Sequence, residues 1–67
     1  MNRRQVALFV KRKRKEKKMS QTDLAIKSGF SQGKLSKVEN GILDLSVPEF
    51  YKVANSLGCV IMIMEVA

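Results

Sequence analysis

The chain has no histidine and no tryptophan, and it carries one cysteine, Cys59, and one proline, Pro48. A lone cysteine forms no intramolecular disulfide. Without histidine or a second thiol, no ordinary zinc site can be assembled. General acid–base catalysis loses its commonest side chain as well. The carboxylates Asp23, Glu39, Asp44 and Glu49 have capping, pairing or loop explanations, so no catalytic residue is expected. Aromatics are few, three phenylalanines and one tyrosine, which disfavours reading single-stranded RNA by base stacking. The longest apolar run, Cys59 to Met64, is far short of the ~20 residues that span a bilayer. The opening residues pass quickly into a basic stretch without a cleavage pattern. With an unpaired cysteine in an apolar run, this sets the expectation of a cytoplasmic protein.

What remains is a basic chain of 67 residues with net charge +7. One domain is the most such a length supports, and its core must be small. With neither disulfide nor metal in prospect, oligomerisation is the expected support. The charge is concentrated: up to Lys18 there are nine Lys/Arg and one acid, and from Met19 onward four Lys and five acids. Localised positive charge suits a polyanionic partner. Taken alone, it also fits a solvated helix face or a helix lying on a membrane surface.

The helix boundaries are signed. Asn2, Ser20, Ser31 and Ser46 are N-cap residues by type, and Ser20 with Asp23 and Ser46 with Glu49 have capping-box spacing. Pro48 falls in a first turn, where its missing N–H is harmless. Gly29, Gly41 and Gly58 each follow a segment of helical apolar spacing, the usual place of a left-handed residue beyond a helix. These signals predict helices over Arg3 to Lys17, Gln21 to Ser28, Gln32 to Asn40 and Val47 to Leu57. Their inward faces are Val6, Phe9 and Val10, then Leu24 and Ala25, then Leu35 and Val38, and finally Phe50, Val53, Ala54 and Leu57.

Beyond Gly58 the pattern changes. Residues 59–67 are apolar and partly β-branched over a strand length, and a lone strand has unpaired backbone groups. The expectation is an antiparallel pairing with the same segment of a second copy through Cys59, Val60, Ile61, Met62, Ile63 and Met64. Continuation as helix competes, but Gly58 and the Val/Ile content oppose it. Residues 1–58 then form the helical domain and 59–67 a dimerisation strand.

Two short helices joined by Gly29-Phe30-Ser31 have the helix-turn-helix spacing. The second contains two choices that oppose stability. Gly33 sits in a helix interior at a cost of roughly 1 kcal/mol against alanine, and Lys34 puts a cation at the wrong end of the helix dipole. Such choices tend to mark function: a missing side chain permits close approach to a base pair, and a lysine reaches a phosphate or a guanine edge.

The residues from Met19 to Gly41, MSQTDLAIKSGFSQGKLSKVENG, closely resemble the phage-repressor-like (Xre/Cro) helix-turn-helix family. The shared features are the glutamine opening the second helix, the Leu-Ala pair, the Ser-Gly turn and the Val-Glu-Asn-Gly exit. The resemblance implies a mostly α, four-helix repressor-like domain that binds double-stranded DNA. It implies that Gln21 contacts a phosphate, that Gln32, Gly33, Ser36 and Lys37 face bases, and that Lys34 and Asn40 contact the backbone. Ser31, at the start of the reading helix, is counted with these DNA-binding residues. It also implies a structural ion pair between Arg14 and Glu39. Two departures stand out. Ile42-Leu43-Asp44-Leu45 replaces the basic residues common after the exit glycine, and Ile26 is apolar where the family is usually polar. The tail resembles that of HipB-type antitoxins, which end in a strand paired across the dimer.

The expected function is that of a homodimeric transcriptional repressor on an inverted repeat, with autorepressing antitoxin as the narrower form. The alternatives are a stand-alone phage or restriction-type regulator, or a protein-interaction scaffold without DNA. Expected partners are double-stranded DNA, a second copy and, in the antitoxin form, a toxin protein. No cofactor, metal or membrane is expected.

Overall fold

Four N-caps start four helices. In the computed structural model, which describes residues 2–62 with Glu65 and Val66, α1 spans Arg3–Glu16, α2 Gln21–Ser28, α3 Gln32–Glu39 and α4 Val47–Ser56. The side chains of Asn2, Ser20, Ser31 and Ser46 each accept a backbone N–H three residues on. Gln5, Asp23 and Glu49 return the bond and complete capping boxes at α1, α2 and α4. The sequence pattern marks Asn2 only as a cap; the returning bond from Gln5 makes it a full capping box.

The helices also stop alike. At each C-terminus two backbone N–H groups turn back onto the last carbonyls, the Schellman arrangement. For α2 these are Gly29 to Ile26 at 3.2 Å and Phe30 to Ala25 at 2.9 Å; for α4, Gly58 to Asn55 at 3.0 Å and Cys59 to Ala54 at 2.8 Å. The pivot must adopt positive φ. It is Gly29, Gly41 and Gly58 after α2, α3 and α4, but Lys18, at φ 56°, after α1. An L-residue pays a steric cost there that glycine does not. The expected ends of α1, α3 and α4 shift inward by one residue, because Lys17, Asn40 and Leu57 are half-helical caps.

Val10, Leu24, Ala25, Leu35, Val38, Val53 and Leu57 form the core. Each of its fully buried Leu and Val side chains supplies roughly 1.5–3 kcal/mol of transfer free energy. α3 packs on α1 and α2, and α2 on α4. Val6 and Phe9 are only partly buried, while Ala7, absent from the expected face, is buried. Phe9 meets Phe50 edge-on, ring centroids 5.9 Å apart. The hydroxyl of buried Ser28 donates to Ser56 Oγ at 3.2 Å, joining the ends of α2 and α4.

Among the described residues there are four helices and no strand. Of the residues after Gly58, those described (59–62, 65 and 66) are not helical, which opposes the competing reading of a continued α4. Cys59 and Ile61 are half-buried, whereas Val60 and Met62 are exposed. Ile63 and Met64, expected in the dimer strand, lie outside the described residues.

Candidate nucleic-acid interface

Burial fixes which side of α3 is available. Leu35, Val38 and Glu39 face inward. Helical geometry then turns Gly33, Lys37 and Asn40 directly outward, flanked by Gln32 and Ser36. Gln32, Gly33, Lys37 and Asn40 are exposed and Ser36 is half-buried. Ser31, also exposed, accepts the Lys34 N–H at 3.1 Å and so orients the first turn. A side chain at Gly33 would meet nothing within 4 Å, and its φ is not positive. Neither packing nor backbone conformation within the chain therefore calls for glycine there.

A polar relay supports this face from behind. Arg14 Nε donates to Glu39 Oε2 at 2.7 Å, and Arg14 Nη2 to Oε1 at 3.0 Å. Arg14 Nη1 also donates to the Met19 carbonyl at 2.8 Å, which fixes the link from α1 to α2. The hydrogen bonding to Glu39 is the main cause raising the Arg14 pKa above its ordinary value. Gln21 Nε2 donates to Glu39 Oε1 at 3.2 Å, and Gln32 Nε2 donates to Gln21 Oε1 at 2.8 Å. The ion pair is thus connected through Gln21 to Gln32, the first residue of α3.

Lys34 is placed differently from the other cations. Its ammonium pairs with Glu49 of α4 and lies 4.5 Å from the centroid of the Phe30 ring. These contacts offset the unfavourable dipole position, so the apparent broken rule has an intramolecular explanation. Glu49 is the residue that sequence reasoning missed, having been read only as half of a capping box. The Lys34 hydrogen bond, followed by those from the Ser46 backbone and hydroxyl, lowers the Glu49 pKa to about 2.

The basic run is not one patch. Arg14 is internal, Lys13 pairs with Glu16 at 3.2 Å, and Lys17 lines a cleft beside Leu57 and Gly58. Arg4 and Leu8 line a shallow cleft with Asn40 and Gly41, so α1 brings a cation to the C-terminal end of α3. Arg3 reaches the loop that lacks basic residues, at 3.4 Å from the Ile42 carbonyl and 3.6 Å from Asp44 Oδ1. Ile26 and Ile42 are exposed, whereas Leu43 and Leu45 of the same loop as Ile42 pack against the core. Among the described residues, no helix is long and apolar enough to cross a membrane, and no group of His, Cys, Asp and Glu could hold a metal ion.

No curated protein matches the chain. A family model described as helix-turn-helix matches residues 10–60, which take in the end of α1, all of α2, α3 and α4, and the start of the tail. The chain belongs to the phage-repressor-like (Xre/Cro) helix-turn-helix family, a family of DNA-binding transcription regulators.

Proposed function

We propose that the protein is a homodimeric transcriptional repressor that inserts α3 of each copy into the major groove of an inverted repeat. The observation that carries this reading is the outer face of α3. Gln32, Ser36, Lys37 and Asn40 surround Gly33, a glycine that the fold itself does not require. A partner that must come close to the helix axis supplies the missing reason. Gln32 presents an amide able to bond two atoms of a base edge, and Lys37 a cation suited to guanine. Gln21, Ser31 and Asn40 flank the site toward the backbone. Lys34 can serve a phosphate by exchanging its Glu49 partner for it.

Dimerisation through residues 59–67 would give the two reading helices a two-fold relation, with half-sites about one DNA turn, roughly 34 Å, apart. The narrower reading is an autorepressing antitoxin. The exposed Val60, Met62 and Val66 favour it, because an apolar ribbon face left open by the dimer suits a second protein. A scaffold without DNA binding would give no account of Gly33 and Lys37.

Selection from random duplexes, followed by footprinting, tests the proposal. A short inverted repeat should emerge, and binding to it should fall with salt at a log–log slope of about −0.9 per neutralised phosphate. Binding without sequence preference, or none, would reject it. A toxin bound by the same copies would separate the antitoxin from a stand-alone regulator.

A further inference from the structure

Glu65 is the only charged side chain after Lys52. Its place in an apolar tail gives it a readable address. Cys59 packs against the core and Ile61 is half-buried, while Val60 and Met62 are exposed. Cys59 and Ile61 therefore turn toward the helices, whereas Glu65 is exposed in the single chain. Side chains alternate along a strand, so in an extended tail Glu65 belongs to that same helix-ward face.

Two-fold symmetry makes this stricter. Residues opposite each other in an antiparallel pair share a face. A two-fold axis perpendicular to the ribbon keeps every residue on its own face, so odd-numbered residues can oppose only odd-numbered ones. In every symmetric register, Glu65 of one copy lies over the helices of the pair, opposite an odd-numbered residue of the other copy. With Met62 on the axis it stands opposite Cys59; with Ile63 on the axis it stands opposite Ile61.

Only the first of these registers brings the carboxylate next to Gly58. There the Lys17 ammonium already lies close: a Cβ added to Gly58 would be 3.6 Å from Lys17 Nζ. Lys17 and Lys27 line one cleft with Met19, Leu57 and Gly58. Among the described residues neither lysine has an acidic partner. A carboxylate turned toward an apolar surface is costly unless a cation meets it.

We propose that Glu65 of each copy enters this cleft on the other copy and pairs with Lys17, with Lys27 as the second cation, selecting the Met62-centred register. The inference rests on the homodimer reading and adds the contact that sets its geometry.

The test uses two full-length variants, Glu65→Lys and the double change Lys17→Glu/Lys27→Glu, with circular dichroism to verify folding and sedimentation to measure dimerisation. Each variant alone should dimerise at least ~10-fold more weakly than the unaltered chain, because like charges then face each other twice per dimer. An equimolar mixture should recover to within about threefold of the unaltered affinity, because opposite charges meet at both clefts of the mixed dimer. If Lys17→Glu/Lys27→Glu does not fold, Lys17→Gln/Lys27→Gln replaces it, and the mixture should still exceed Glu65→Lys alone. Weakened variants that mixing does not rescue would mean the pair forms within one chain and would overturn the proposal. So would variants that dimerise normally. An unaltered chain that stays monomeric would overturn the homodimer reading and this proposal together.

Discussion

Arg14 and Glu39 join the last turn of α1 to the last residue of α3 through two hydrogen bonds, with side chains only 12% and 2% exposed. The carboxylate is the deeper of the two and accepts a third bond from Gln21. Removing the cation should therefore cost more than removing the anion. Arg14→Met strands a buried charge and should lose about 3–5 kcal/mol. Glu39→Gln should lose less, because Arg14 keeps the Met19 carbonyl. Arg14→Met/Glu39→Met should regain much of the loss. Urea denaturation of the three variants checks the order; small, equal effects would reduce the pair to a surface contact.

Gly33→Ala should separate folding from recognition. There is space for the methyl group and the backbone is helical. The free protein should gain about 1 kcal/mol, while operator affinity should fall by roughly 1–3 kcal/mol if the glycine faces a base pair. Thermal melting and titration of the same sample provide both values. Unchanged affinity would remove Gly33 from the interface.

Glu49 sets an acid limit. Its folded pKa of about 2 lies below the ordinary 4.5. The unfolded chain therefore binds the proton more readily, and the stabilisation present above pH 4.5 is lost as pH falls toward 2. Both Glu49→Gln and Lys34→Ala should flatten the stability–pH curve in that window. A wild-type slope in either variant would show that other carboxylates govern it.

Lys18 is the non-glycine pivot among the four helix ends. A left-handed L-residue costs roughly 1–2 kcal/mol, of which the extra chain entropy of glycine cancels ~0.5–1. Lys18→Gly should raise the melting temperature, and Lys18→Val should lower it. Equal melting for the two would show that this turn bears no strain.

Ending the chain after Gly58 should leave four helices by circular dichroism, with some loss of stability because Cys59 packs on the core. The product should sediment as a monomer and bind the operator weakly. A stable dimer with full affinity would place the interface elsewhere.

The parts legible in the sequence were those whose chemistry is local. A serine and the N–H three residues ahead of it, or a glycine and the carbonyls behind it, lie within a few positions, so caps and pivots could be read directly, and α2 runs over the expected residues. Lys18 escaped because no glycine marks its turn. The Lys34–Glu49 contact escaped because it joins residues 15 apart whose meeting depends on how α3 and α4 lie together. Gln21 and Gln32 were recognisable as a motif, yet their hydrogen bond to each other and onward to Glu39 needs the angle between two helices. Spacing places Gly33 on α3; the empty space around it depends on how the helices pack.

The brevity of α3 limits how much text the protein can read. Eight residues at about 1.5 Å each make a rod of ~12 Å, the length of three to four base pairs at 3.4 Å apiece. Two copies in the proposed dimer would thus specify roughly seven positions, a word that recurs by chance about once in 16,000 base pairs. Even a genome offering only ~10⁶ sites would hold dozens of such words. Fidelity at one promoter would then come from outside the reading helices: from the half-site spacing, from the flexibility of the untouched central base pairs, and from keeping few copies in the cell.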